Sequence, residues 1–293
     1  MSKVPKIIDT AQPFYSDILA RSLLRINIPR YEAYQVAHGI WQQLSHQKKD
    51  QHKITERVKE LLEKKYPQLI DHYEKWQTIV NKEKPLIILI GGGTGIGTST
   101  LAMRVAWLLE INRIVSTDSV REVIRHFLPE DVMPVLHVSS YETDRLGIKE
   151  VKSEHDRLIY GFMLQSKEVL NGVEAIIKRS IREKTSIVIE GVHLIPGEMK
   201  FLEKYKKEAT IIQIMLDVNQ ESKHLLHFAS RHRENSNRKK ERYLKYFKEI
   251  RMIREYLVKQ AEKNHVLVVQ NYDLKKAEKQ ILHKIYSQYA HKK

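Results

Sequence analysis

Between Leu86 and Leu109 the chain reads LIILI, then GGGTGIGTST, then LAMRVAWLL: an apolar run, a glycine-rich turn and a helical pattern in direct succession. A short apolar run bounded by glycine reads as a buried strand. The turn has the spacing G-x-x-x-x-G-K-[ST] from Gly92 to Ser99, except that Thr98 stands where the lysine belongs. Gly92, Gly95 and Gly97 keep side chains out of the way, so the backbone amides of Gly93, Thr94 and Ile96 and of the glycines themselves can wrap a polyphosphate. The helix opening at Thr98 adds free N–H groups and a partial positive charge, with hydroxyls at Ser99 and Thr100. A nucleotide-binding loop over Gly92–Thr100 is the expectation. Gly91-x-Gly93 also meets a looser dinucleotide pattern, but that fingerprint wants G-x-G-x-x-G and a later acidic residue, and the paired hydroxyls suit a Mg-nucleotide loop better. A glycine-rich turn without a ligand is the plain alternative.

Beyond Pro85, strand-like and helical stretches alternate, the pattern of a parallel sheet covered on both faces. Expected strands are Leu86–Ile90, Ile114–Ser116, Ser186–Ile189, Ile211–Leu216 and Val266–Val269. The fold class is therefore α/β, a P-loop NTPase with a five-stranded parallel sheet of the nucleoside-monophosphate-kinase type. Ahead of it, helical faces run through Ala33, Val36, Ala37, Ile40, Trp41 and Leu44, through Thr55, Val58, Leu61 and Leu62, and through Leu69, Tyr73 and Trp76. Pro13, Pro29 and Pro67 punctuate these helices. The polar segment Asn81–Lys84 marks the boundary, giving a helical domain over 1–84 and a P-loop domain over 85–293.

With 293 residues, 42% hydrophobic and 30% charged, the composition is that of a globular protein, and no apolar run approaches the ~20 residues of a membrane span. The opening MSKVPKIIDT lacks the apolar core of a signal peptide, so a cytoplasmic location is expected. Zero cysteines exclude disulfides, thiol catalysis and thiolate metal sites, and together with the lysine-rich composition suit a hot habitat. The formal charge of +15 fits nucleic acid, an anionic membrane or polyanionic small substrates. Lysines spread from Lys3 to Lys293, whereas the arginines are localised, which favours a local anion site. A small-molecule substrate is expected, with neither nucleic acid nor a membrane as partner; no feature specifies an oligomeric state.

Ligands of such sheets lie at the carboxyl ends of strands. After the first strand, Ser99 is expected to coordinate Mg²⁺. After the second come Asp118, Arg121 and Arg125. Asp118 is a candidate to orient or deprotonate an acceptor hydroxyl, and the two arginines, which share a helical face, to hold an anionic substrate. The alternative is a capping box, Ser119-x-x-Glu122. After the third strand, Glu190 is a candidate for the Mg²⁺ shell and His193 for a substrate phosphate. After the fourth, Arg231, Arg233, Arg238, Arg242, Arg251 and Arg254 read either as a lid, around 223–254, closing over a transferring phosphoryl group, or as a solvated face paired with Glu234, Glu241 and Glu249. In the lid reading Arg231 and Arg242 act in catalysis, and one of these arginines replaces the charge missing at Thr98. Asn271, after the last strand, is a candidate adenine contact.

In this order, the stretches IGGGTGIGTSTLA, STDSVREVIR, GFMLQSKEVLNGVEAIIKRS, SIVIEGVHLIPG, HFASRHREN and RYLKYFKEIRMIREYL resemble archaeal 2-phosphoglycerate kinases, over most of residues 86–270. The resemblance implies transfer of the γ-phosphoryl group of Mg-ATP to 2-phosphoglycerate, giving 2,3-diphosphoglycerate. A substrate with a carboxylate and a phosphate, met by a triphosphate, needs several converging cations, and the arginines provide them. The segment PFYSDILARSLLRINIPRYEAYQVAHGIWQQL resembles the ATP-cone type of helical module. Its phosphate-contacting basic stretch is reduced here to Lys6, which leaves a regulatory and a structural role both open.

Overall fold

The structure is a computed structural model that describes residues 12–25, 28–44, 51–70, 73–74, 84–146, 151, 153–230 and 237–290. The chain divides into two compact units, Met1–Lys82 with Leu282–Lys293, and Glu83–Ile281.

In the first unit, α1 (Gln12–Arg25), α2 (Arg30–Leu44) and α3 (Gln51–Lys65) are each amphipathic. The expected apolar faces pack together: Ala33, Ala37 and Ile40 of α2 meet Leu19, Ala20 and Leu23 of α1 and Val58 and Leu62 of α3, with Tyr73 in the same core. Trp76 and Asn81–Lys82 lie outside the described residues.

The second unit is built on a sheet of five parallel strands: β1 (Leu86–Gly92), β2 (Ile114–Ser116), β3 (Ile187–Gly191), β4 (Thr210–Asp217) and β5 (Leu267–Gln270), in the order β2-β3-β1-β4-β5. The chain leaves β1 for one side of the sheet and returns to the other, so the strand order reverses at β1. The turn after β1 therefore opens at the switch point, where α/β sheets bind ligands. Each of the seven residues of β1 is buried, as a central parallel strand requires. Burial of each aliphatic side chain contributes about 2 kcal/mol, which fixes the strand end that carries the glycine turn.

This unit also contains the helices α4 (Thr98–Leu108), α5 (Thr117–Phe127), α6 (Glu154–Arg182), α7 (Leu202–Tyr205), α8 (Glu221–Ser230), α9 (Asn237–Lys245) and α10 (Phe247–Lys263), and α11 (Leu274–Ala290) follows β5. Ile87 and Leu89 of β1 with Ile187 and Ile189 of β3 share a core with Val169, Val173 and Ile177 of α6. A second core joins Phe162 of α6, Met215 of β4, Phe228 of α8 and Ile250, Ile253 and Leu257 of α10. Among the described residues, no helix is long and apolar enough to cross a membrane.

One local expectation changes. Helix α5 is capped by Ser116, whose hydroxyl accepts the Ser119 amide at 3.0 Å, and not by a Ser119–Glu122 box. Glu122 instead pairs with Arg125 at 2.5 Å. With Ser116 as cap, Asp118 has no capping duty and its side chain stays 71% exposed.

Candidate active site

The glycine turn has the shape that its residues dictate. Gly95 and Gly97 adopt φ of 84° and 95°, in the left-handed region that glycine enters without strain. Neither has room for a side chain: a Cβ on Gly95 would run into the Phe228 ring, and one on Gly97 would lie 2.7 Å from Asn271 Nδ2. Two carbonyls of the turn are held from outside. His224 Nε2 lies 2.8 Å from the Thr94 oxygen, and Asn271 Nδ2 donates to the Ile96 oxygen at 2.8 Å. Because N–H and C=O point to opposite sides of a trans peptide, a carbonyl bonded outward turns the next amide inward. The Gly95 and Gly97 amides thus point away from His224 and Asn271, the orientation an anion nest needs. Asn271 is almost fully buried in this role, so it tethers the loop and is not an adenine contact.

Below the loop, Ser99 Oγ donates to Glu190 Oε1 at 2.9 Å. Glu190 is buried and sits level with Ile90 of β1 and Ser116 of β2, a carboxylate inserted between the two strand ends. A hydroxyl and a carboxylate, both hard oxygen donors, fit a Mg²⁺ ion that draws its other ligands from water and phosphate. Among the described residues no cluster of three or more His, Cys, Asp or Glu forms a metal cage.

At Thr98, the lysine position, a buried methyl packs towards Gly92. Arg254 of α10 packs beside the loop, its Cβ 3.2 Å from the point a Cβ on Gly93 would occupy. Its guanidinium is already engaged: Nε donates to Asp217 Oδ1 at 2.5 Å and Nη2 to Oδ2, a bidentate fork on a buried carboxylate. Gln270 Nε2 donates to the same Oδ2 at 2.7 Å. Arg251 binds the Val218 carbonyl at 2.8 Å and the Asn219 carbonyl at 2.6 Å. These arginines brace the ends of β4 and β5 rather than standing on a solvated face; among the described residues neither pairs with Glu241 or Glu249, and Glu234 lies outside the described residues.

Arg242 is the described arginine that links α9 to the segment between β2 and α6. It forms an ion pair with buried Glu142 and donates to Ser139 Oγ at 3.2 Å, while its side chain stays 53% exposed. Arg145 reaches the same Glu142 at 3.3 Å and covers the Tyr246 ring at 4.8 Å. Rings connect this cluster to the loop: Phe228 packs on Gly95 and stacks on Tyr243 at 5.1 Å, and Tyr243 meets Tyr141 edge-on at 6.1 Å. Arg231 and Arg233 lie outside the described residues, as does the side chain of Arg238.

Beyond the end of β2, Asp118 stands on the first turn of α5, 3.7 Å from the Arg121 guanidinium. Arg121 also donates to the Leu136 and Val138 carbonyls, at 2.7 and 3.3 Å, so it shapes that segment as well as flanking Asp118. Arg125 is held by Glu122, a turn further from Asp118.

His193 corrects the sequence expectation. It is completely buried and presents no surface to a phosphate. Its Nδ1 lies 2.9 Å from Thr117 Oγ1 and its Nε2 3.0 Å from Gln165 Oε1. Gln165 Nε2 is committed to the Val135 and Val138 carbonyls, so its oxygen accepts, Nε2 of the histidine donates, and Nδ1 accepts from Thr117. Burial, reinforced by the Arg121 charge, depresses its pKa to about 3, so the ring is neutral. Gly191, at φ 138°, has no Cβ to collide with Thr117. His193 is thus bonded to Thr117, the neighbour of Asp118 in sequence.

Sequence reading missed Asp217, His224, Thr117 and Gln165. Asp217 and Thr117 carried a signal, since each ends or directly follows a strand at its carboxyl end. His224 and Gln165 lie inside helical patterns and carried none.

A parallel sheet of order 2-3-1-4-5, a glycine nest at its switch point and a Ser–Glu pair beneath it define a P-loop phosphotransferase. No protein-family model matches the chain. It is 38% identical to 2-phosphoglycerate kinase of Methanocaldococcus jannaschii over 266 residues, 88% of this chain and 83% of that one. Against the 2-phosphoglycerate kinases of Methanopyrus kandleri and Thermococcus kodakarensis the identities are 36% and 34%, over 88% and 92% of this chain and 79% and 91% of theirs. The chain belongs to the 2-phosphoglycerate kinase family. Among solved structures, shikimate kinase of Aquifex aeolicus aligns with 69% of this chain and 97% of its own at 16% identity and a TM-score of 0.38.

Proposed function

We propose that this protein transfers the γ-phosphoryl group of ATP to the 3-hydroxyl of 2-phosphoglycerate, forming 2,3-diphosphoglycerate and ADP. The observation that carries the reading is the 2.9 Å Ser99–Glu190 pair under the glycine nest, with the exposed Asp118 carboxylate at the end of the neighbouring strand. In this reading the amides of the loop hold the β- and γ-phosphates, and Ser99 and Glu190 hold Mg²⁺. Mg²⁺ held there would supply neutralising charge for the β- and γ-phosphates. Asp118 accepts a hydrogen bond from the 3-hydroxyl and takes its proton as the new P–O bond forms. Arg121 holds the carboxylate of Asp118 in place and adds positive charge beside the acceptor; Arg125, Arg242 and Arg231 contribute charge for the carboxylate and phosphate of the substrate. His193 serves by orienting Thr117 rather than by touching the substrate.

Incubation of the purified chain with Mg-ATP and 2-phosphoglycerate, followed by phosphorus NMR, tests the proposal. The expected result is a pair of phosphate monoester resonances from a vicinal diphosphate, absent with 3-phosphoglycerate. ATP consumption with another phosphorylated acceptor but not with this one would overturn the substrate. Tight ATP binding with no product from any acceptor would overturn the transfer.

A further inference from the structure

A phosphate loop that lacks its lysine loses the ammonium that ordinarily reaches over the β- and γ-phosphates. The remaining attraction is the backbone nest and the N-terminus of α4, and the worth of a nest depends on its amides already pointing inward when the anion arrives. A glycine-rich turn does not do this unaided. Gly92, Gly93, Gly95 and Gly97 give the segment more freedom than any other residue type would, and that freedom must be removed on binding. Inside the loop itself, the described backbone bond is that from the Ile96 amide to the Gly93 carbonyl, at 3.3 Å.

We infer that His224 and Asn271 are positioning residues for the nucleotide: by bonding the Thr94 and Ile96 carbonyls from outside, they set the Gly95 and Gly97 amides facing inward and offset the missing lysine through pre-organisation. This rests on the proposed binding of ATP at the loop. The two tethers come from separate elements, α8 and the turn after β5, and each is fixed in turn. The Asn271 amide donates to the Asp217 carbonyl at 2.7 Å, and Asp217 is clasped by Arg254 and Gln270. His224 stacks on Phe228 at 5.0 Å, and Phe228 in turn covers Gly95. Because the Thr94 oxygen can only accept, Nε2 of His224 carries the hydrogen, which leaves Nδ1 unprotonated. That atom is buried with no hydrogen-bond partner among the described residues. Burial, with the cations of Arg251 and Arg254 beside it, holds the imidazole neutral, its pKa lowered to about 4. His224 therefore acts as a neutral donor and not as a substitute cation.

A comparison of nucleotides isolates this role. AMP lacks the phosphates that the nest receives, so loosening the loop should weaken MgATP and leave AMP alone. Calorimetric titration of the full chain with MgATP and with AMP is the measurement, with thermal unfolding as control. His224→Leu, which removes the donor, and Asn271→Ala should each raise the MgATP Kd about tenfold, or 1.4 kcal/mol, with AMP within twofold of the unaltered protein. His224→Gln, whose amide nitrogen falls near the former Nε2, should recover most of the loss. An MgATP Kd within twofold of the unaltered protein in both folded variants would overturn the inference, as would equal weakening of AMP and MgATP. Failure of the unaltered chain to bind MgATP would instead remove the nucleotide reading beneath it.

Discussion

The two sides of the site are organised by different means. On the nucleotide side, a contiguous run from Gly92 to Ser99 shapes the cradle, and distant residues only hold it in place. On the side proposed for the acceptor, the surroundings come from further apart. Asp118 lies beside Arg121 and next to Thr117, which is bonded to His193 from 76 positions away, and His193 in turn to Gln165. Each side nevertheless contains one neutral, buried histidine acting through a hydrogen bond: His224 on the Thr94 carbonyl and His193 on the Thr117 hydroxyl. A phosphate cradle is backbone geometry and is written locally, whereas placement of a single carboxylate is tertiary hydrogen bonding and is written nowhere in particular.

The contrast predicts that the sides can be damaged separately. The largest effect should come from Asp118→Asn, which keeps the shape of the acceptor side but removes the base proposed for it. Turnover should fall about 100-fold or more while the MgATP Kd stays within twofold, read from steady-state kinetics and calorimetry. Loss of ATP affinity in step with turnover would erase the distinction between the sides.

Acid should unsettle both sides at once. His193 and His224 have folded pKa values lowered to about 3 and about 4, below the ordinary histidine value of 6.5. Below about pH 6.5 the unfolded chain takes up protons that the folded chain refuses, so stability is full above that pH and drops as the pH falls. Between pH 7 and pH 5 each histidine should cost up to about 2 kcal/mol of stability. Thermal unfolding across that range measures the slope, and His224→Gln should remove about half of it.

A smaller effect is expected from Thr117→Val, which deletes one buried hydrogen bond from the acceptor side. The KM for 2-phosphoglycerate should rise about tenfold with MgATP affinity unchanged, and Thr117→Ser should restore it. An unchanged KM in a folded Thr117→Val protein would leave His193 as packing alone.

How much of this could be read in advance follows the same division. All five strands and the loop were legible, because apolar runs and glycine spacing are local signals. The differences at the strand ends are instructive. Strands β1, β3, β4 and β5 run on past the expected ends at Ile90, Ile189, Leu216 and Val269 to Gly92, Gly191, Asp217 and Gln270. There the apolar pattern stops because glycine and buried polar residues take over, and those are the residues of the site. Asp118, Ser99 and Glu190 were proposed from their places after strands, and the structure brings Ser99 and Glu190 within 2.9 Å of each other. His193 was expected to face a phosphate and is fully buried instead, since sequence cannot distinguish a buried imidazole from an exposed one. The partners of the arginines were not legible either: Glu142 lies 100 positions from Arg242, and Asp217 lies 37 from Arg254.

The central claim is that a triphosphate is held by inward-facing amides with no lysine beside them. A crystal structure with magnesium and a non-hydrolysable ATP analogue measures it most directly. Phosphate oxygens should lie about 3 Å from the Gly95 and Gly97 nitrogens, with the metal between Ser99 and Glu190 and the Thr94 and Ile96 carbonyls still tethered. A triphosphate seated away from this loop, or carbonyls turned into it, would contradict the account.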